Sequence, residues 1–202
     1  LTFYLKLSNH HLFKEVFMKS YPIVQNPISS QTFKLAKDTL QIAAGALFLS
    51  LASQVTIPLS PVPLTMQTFA VMVLALTLGS VKGTLAVVAY LIETMIGLPV
   101  LANAASSPLA IVGVRGGYLF GFIAQCYLAG FLFEKASSKV ISYTTLLVSL
   151  LMISALQMFL GTLWLSSFIG LNQALMAGFV PFIPGEFLKC VFVLGLFKKK
   201  TV

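Results

Sequence analysis

What most constrains this chain is a succession of apolar runs, several of them about eighteen residues or longer, separated by glycine, proline or lysine. A run of that length buries itself best as a helix across a bilayer, where every backbone N–H and C=O must be satisfied within the segment. Composition agrees: hydrophobic residues make up 58% of the 202 and charged residues 9%, with mean hydropathy +0.96, far above the apolar share of a soluble domain. The expected fold class is an all-α membrane protein, a compact bundle of transmembrane helices with no soluble domain attached.

The net charge of +8 would point to nucleic acid in a soluble chain, but the basic residues sit at membrane edges. Lys6, Lys14, Lys19, Lys34 and Lys37 precede the first apolar run, and Lys198, Lys199 and Lys200 follow the last. The positive-inside rule places both termini in the cytoplasm and so requires an even number of spans. Lys82, Lys135 and Lys139 mark two further inner loops, which makes six. No contiguous basic surface remains for nucleic acid. Cys126 and Cys190 fall within apolar runs and read as small buried hydrophobes; with no disulfide framework or metal spacing, and His10 and His11 isolated in the polar N-terminal stretch, neither metal nor cofactor is expected. The first apolar run lacks a small-residue cleavage site and reads as a retained helix.

Residues 1–30 read as a polar cytoplasmic arm, with a short interfacial helix around Leu12 to Met18, and 31–202 as the six-helix membrane domain. Span one is expected over Leu35–Val55, ending at "TIPLSPVPLT", whose prolines cannot continue a helix. Span two follows from Thr65 to Leu78, with "GSVKGT" as a tight inner turn, and span three from Leu85 to Ile96. The stretch "VLANAASSPLAIVGVR" is an outer loop of small, weakly polar residues, suited to folding over something. Spans four, five and six are expected over Gly116–Phe133, over Ile141–Phe168, and from Gly185 onward, the last after an outer connection with room for one short helix.

Within this oil, "VPFIPGEFLKCV" places Glu186 in the first turn of span six and Lys189 one turn on, on the same face. A charge at that depth costs several kcal/mol unless paired or lining a polar cavity. One reading is a self-neutralising pair in which Glu186 also caps its helix. The other, which the cost favours, is a binding site: a carboxylate accepts from a cyclic urea or amide, and an ammonium attracts an acid, which suits a ligand with a donor end and an anionic end. Gln67, Asn103, Ser106, Ser107, Arg115 and Tyr118 lie on the same outer side and converge if the bundle is compact. Arg115 could equally anchor lipid phosphate, and Gln67 could cap span two. Glu93, deep in span three, is open to a neutral carboxyl or to pairing with Lys82 or Lys189. Trp164 reads as an interface residue.

The stretches "IPLSPVPLTMQTFAV", "LGSVKGTLAVVAYLI", "IGLPVLA", "RGGYLFGF" and "PFIPGEFLK", in this order and spacing, resemble the BioY family, the biotin-binding substrate-capture (S) subunits of energy-coupling factor transporters. The resemblance covers about Leu40 to Lys198. It implies six helices binding biotin from outside, with the loop after span three as a lid. It also implies that Glu186 and Lys189 match the family's acid and lysine after "PG". The lid "LANAASSPLA" is poorer in glycine than usual, Arg115 stands where a small hydroxyl residue is more usual, and Glu186 where aspartate is commoner. By the same resemblance the chain is no enzyme. It has no phosphate-cradling glycine loop, so ATP hydrolysis belongs to two separate ATPase subunits acting through a membrane coupling subunit, in the bacterial cytoplasmic membrane.

Two other classes compete with this one. An S subunit or secondary importer for another small vitamin or anion, proton-coupled through Glu93, would use the same polar inventory. An intramembrane enzyme is disfavoured, because no aspartate pair, serine and histidine set or metal motif lies in the spans. Finally, Ala43, Ala46, Ser50 and Ser53 form a stripe of small side chains on span one, a surface that admits another helix closely. From composition that helix could be a partner or another span of this chain; the resemblance implies that Ala46 and Ser50 dock the coupling subunit.

Overall fold

The computed structural model describes residues 27–105, 108–136 and 142–197. The elements are α1 (Pro27–Gln54), a two-stranded antiparallel ladder of β1 (Thr56–Ile57) and β2 (Leu64–Thr65), α2 (Gln67–Met95), α3 (Gly116–Ala136), α4 (Tyr143–Ile169), α5 (Leu171–Gly178) and α6 (Ile183–Leu196). The chain divides into two compact units at Lys37/Asp38, so α1 begins in the first and the remaining elements belong to the second. The interfacial helix expected near Leu12 to Met18, and Lys139 and Lys198 to Lys200, lie outside the described residues.

Five stretches among the described residues are long and apolar enough to cross a membrane: Ser30–Gln54, Gln67–Met95, Gly116–Lys135, Tyr143–Ile169 and Leu171–Leu196, the last taking α5 and α6 together. Their outer faces carry exposed Leu47, Leu51, Met152, Leu188 and Phe192, a burden in water but the natural contact with lipid tails. The chain is a multi-pass membrane protein.

Helix α1 starts earlier than the expected Leu35, with Pro27 in its first turn, where a missing N–H costs nothing. It ends where Pro58, Pro61 and Pro63 begin. Those prolines occupy the connection between the two short strands, which register Thr56 with Thr65 and Ile57 with Leu64.

Spans two and three, expected as separate helices, form one continuous stretch broken at Gly79, whose φ of 82° and ψ of −179° belong to a region open only to glycine. The stretch folds back on itself there. Gln67 Nε2 donates to Tyr90 Oη at 2.6 Å, although a straight helix would hold these residues roughly 35 Å apart. The fold-back is locked from α3: Glu134 accepts from the Ser80 backbone N–H at 2.7 Å and from its hydroxyl at 2.9 Å. Ser80 opens the second half of α2, so its N–H has no partner within that half, and the carboxylate also favours the positive end of the helix. The inner turn is thus narrower than the expected "GSVKGT", with Lys82 already helical. Its ammonium binds Asp38 of α1 at 2.8 Å and Gln41 at 3.0 Å, which removes it as a partner for Glu93.

The small-residue stripe on α1 turns inward over most of its length. Ala46 is 0% and Ser50 9% exposed, while Ala43 remains exposed. A Cβ added at neighbouring Gly45 would meet Ala86 at 2.7 Å, so this crossing tolerates only small residues. Ser50 donates to the Ala46 carbonyl at 3.0 Å and more weakly to Glu93 at 3.4 Å. In place of the docking surface expected at Ala46 and Ser50, the structure has an internal seam: the groove is filled by this chain's own α2.

Candidate ligand-binding site

Ser53 and Gln54, at the C-terminal end of α1, hold down the loop after α2. Ser53 donates to the Val100 carbonyl at 2.6 Å, Gln54 Nε2 donates to the Leu101 carbonyl at 3.0 Å, and Gln54 Oε1 accepts from the Ala104 N–H at 2.9 Å. Tyr90 Oη adds a bond to the Val100 carbonyl at 3.2 Å. These bonds fix Leu101 and Ala102 over a cavity with about 570 Å³ of unfilled space, counted to its open side.

The cavity walls come from six parts of the fold, the loop after α2 with Leu101 and Ala102 being one. The connection after β1 and strand β2 supply Val62 to Thr65, and the start of α2 supplies Gln67 and Thr68. From α3 come Tyr118, Leu119 and Phe122, with Arg115 in the turn just before it, from α4 Gln157 and Met158, and from the last turn and α6 Phe182, Glu186 and Lys189. Mostly apolar walls with a few convergent polar groups are the usual make-up of a small-molecule site.

Glu186 and Lys189 are 3% and 8% exposed and pair at 2.7 Å. Lys189 also donates to the Thr65 carbonyl at 2.7 Å and to Thr68 Oγ1 at 2.8 Å, while Thr68 in turn donates to Glu186 Oε1 at 2.6 Å. All three ammonium hydrogens are thereby used. The arrangement has the ion pair of the first sequence reading without its helix cap. Glu186 does not cap α6 with a side-chain bond, and Lys189 has no hydrogen left for a ligand anion. The neutralisation is also incomplete, because Glu186 Oε2 is buried without any partner. A buried carboxyl oxygen in that state costs more than a satisfied one.

The other expected residues divide. Gln67 lines the cavity with both ends of its amide engaged, Oε1 accepting from Thr65 Oγ1 at 2.9 Å and Nε2 donating to Tyr90. Tyr118 forms a wall, held by its hydroxyl, which donates to the Gly178 carbonyl at 2.8 Å and lies 3.2 Å from Thr162 Oγ1. Its ring occupies space that side chains at Gly161 and Gly178 would take. Arg115 is half-buried and lines the cavity; its guanidinium has no hydrogen-bond or ion-pair partner among the described residues. Asn103 is exposed in a left-handed turn, φ 61°, and does not line the cavity. Ser106 and Ser107 lie outside the described residues. Trp164 binds the Gly113 carbonyl at 3.0 Å through its indole N–H, away from the cavity.

Three polar cavity residues escaped the sequence reading, Thr65, Thr68 and Gln157, and Thr65 takes part through its carbonyl. Thr68 carries no charge and sits beside Gln67, where a hydroxyl in a membrane helix is unremarked. Gln157 lies in the middle of the apolar run "LMISALQMFLG", and the reasoning that singled out Glu186, that polar groups in mid-bilayer need a reason, applies to it as well. Among the described residues no group of acids, histidines and cysteines could hold a metal.

The BioY family model matches residues 21–201. The chain is similar to the biotin transporter BioY of Thermotoga maritima, 39% identical over 137 residues, which are 68% of this chain and 79% of that protein. It is also similar to the probable biotin transporter BioY of Pyrococcus horikoshii, 34% identical over 76% of this chain and 90% of that one. Among solved structures it matches the crystal structure of the S-component for biotin from an ECF-type ABC transporter, with a TM-score of 0.73 and 28% identity, over 82% of this chain and 91% of the other.

Proposed function

The chain belongs to the BioY family, and on that premise we propose that it captures biotin as the membrane-embedded specificity subunit of an ECF-type importer. The observation that carries the reading is the polarity of the cavity: Glu186, whose Oε2 is buried without a donor, and Arg115, without an acceptor among the described residues, both line one mostly apolar space. A ligand that fills it needs N–H groups for Glu186 Oε2, an apolar middle, and an anionic end for Arg115. Biotin has these as its ureido ring, its fused sulfur ring with aliphatic chain, and its carboxylate. Lys189 and Thr68 hold Glu186 by its Oε1 and leave Oε2 for the ligand, and Gln67 and Tyr118 shape the walls. The loop carrying Leu101 to Asn103 serves as the lid, stapled by Ser53 and Gln54.

In this reading both halves of α2 cross the bilayer, giving six spans with both termini and the 1–30 arm cytoplasmic, in the bacterial cytoplasmic membrane. The chain carries no ATP-binding loop, so a membrane coupling subunit and two ATPase subunits supply the driving force. With Ala46 and Ser50 buried, such a partner meets the exposed face of α1.

The test is calorimetry and mass spectrometry on the detergent-purified chain alone. Biotin should be retained and should bind without ATP or other subunits, and desthiobiotin, which keeps the ureido ring, should compete better than lipoate, which lacks it. No retained biotin and no heat of binding would refute the reading.

A further inference from the structure

We propose that Gln157, on α4, is a specificity residue that supplies the second acceptor for the ligand's pair of N–H groups, a role that rests on the biotin reading above. A cyclic urea presents two N–H groups. Those two groups diverge, so the one free Glu186 oxygen cannot meet both, its Oε1 being already taken by Thr68 and Lys189 at 2.6 and 2.7 Å. One carboxylate oxygen remains for two donors.

The same cavity contains another buried acceptor in the same condition. Gln157 is 2% exposed, and its Oε1 has no hydrogen-bond partner. Its orientation follows from its other end: Nε2 donates to the Tyr118 carbonyl at 3.1 Å, and a flipped amide would set oxygen against oxygen there. Gly121 leaves the room that this side chain fills, since an added Cβ there would meet Gln157 Cγ at 3.0 Å. The amide is therefore held with its oxygen free, as a preorganised acceptor should be. A site built to pair with N–H groups discriminates strongly against analogues that lack them, because its own acceptors are then left buried and unpaired. Gln125, one α3 turn deeper than Phe122, also has an unpartnered Oε1, but it does not line the cavity.

The experiment is calorimetric titration of the wild-type chain and of Gln157→Met with biotin and with its two derivatives methylated on one or the other ureido nitrogen. In the wild type both derivatives should bind at least tenfold more weakly than biotin, about 1.4 kcal/mol. In Gln157→Met biotin itself should lose at least tenfold, and one derivative should then bind about as well as biotin does to that variant. If the wild type accepts either derivative at the strength of biotin, Gln157 receives no N–H and the proposal fails, whether or not the variant folds. Biotin bound by folded Gln157→Met at wild-type strength overturns it equally. A wild type that binds no biotin at all refutes instead the ligand reading on which the proposal stands.

Discussion

Lys189→Met should destabilise the ligand-free chain more than removing both charges together does. In the folded state the Lys189 ammonium touches Glu186 Oε1, the Thr65 carbonyl and Thr68 Oγ1, all at 2.7–2.8 Å. Replacing it leaves the Glu186 carboxylate with one hydroxyl donor and no counter-charge, at 3% exposure. Breaking a buried pair from one side costs about 3–5 kcal/mol, whereas exchanging both members for neutral groups of similar volume is often close to neutral. Glu186→Gln alone should cost about 3 kcal/mol, since it strands the ammonium, and Glu186→Gln with Lys189→Met about 1 kcal/mol or less. At the ~2–4 °C per kcal/mol typical of chains this size, Lys189→Met should lower Tm by roughly 10 °C and the double variant by only a few degrees. Thermal unfolding in one detergent, without ligand, reads all four corners of the cycle. If Lys189→Met and the double variant melt together, the ion pair is not coupled and the stranded-carboxylate argument is wrong.

Arg115→Gln should weaken biotin at least tenfold, about 1.4 kcal/mol, while leaving biotin amide, which lacks the anionic end, within about twofold in the same titration; equal losses for both ligands would remove Arg115 as the anion's partner. Gly79→Ala should destabilise by about 1–3 kcal/mol, seen as a lower Tm in detergent, because alanine disfavours φ 82° and its Cβ meets the Glu134 carboxylate. Ala46→Leu with Ser50→Leu should cost about 1–3 kcal/mol per site through overpacking of the seam between α1 and α2; a double variant that melts like the wild type would return those residues to an open docking surface.

Sequence alone carried the membrane class, since apolar runs of that length have no other economical home, and it placed most helix ends, because Pro58, Pro61, Pro63 and Pro184 and the glycines are local breakers whose effect needs no partner. It also singled out Glu186 and Lys189, whose charge in an apolar run is visible without coordinates. What the charges do there was a tertiary matter. Thr68, more than a hundred residues away, occupies one carboxylate oxygen and leaves the other bare, and the Thr65 carbonyl takes the ammonium hydrogen that a ligand anion would have used. The stripe on α1 is equally legible as a stripe and equally silent about its neighbour, because small residues permit close approach without specifying which helix comes. Only the fold-back at Gly79, held by Glu134 from another helix, brings α2 against α1 and closes that seam. Gln157 shows the same division: its presence in mid-span was there to be read, but that its nitrogen is fastened to Tyr118 and its oxygen left free depends on how α3 and α4 pack.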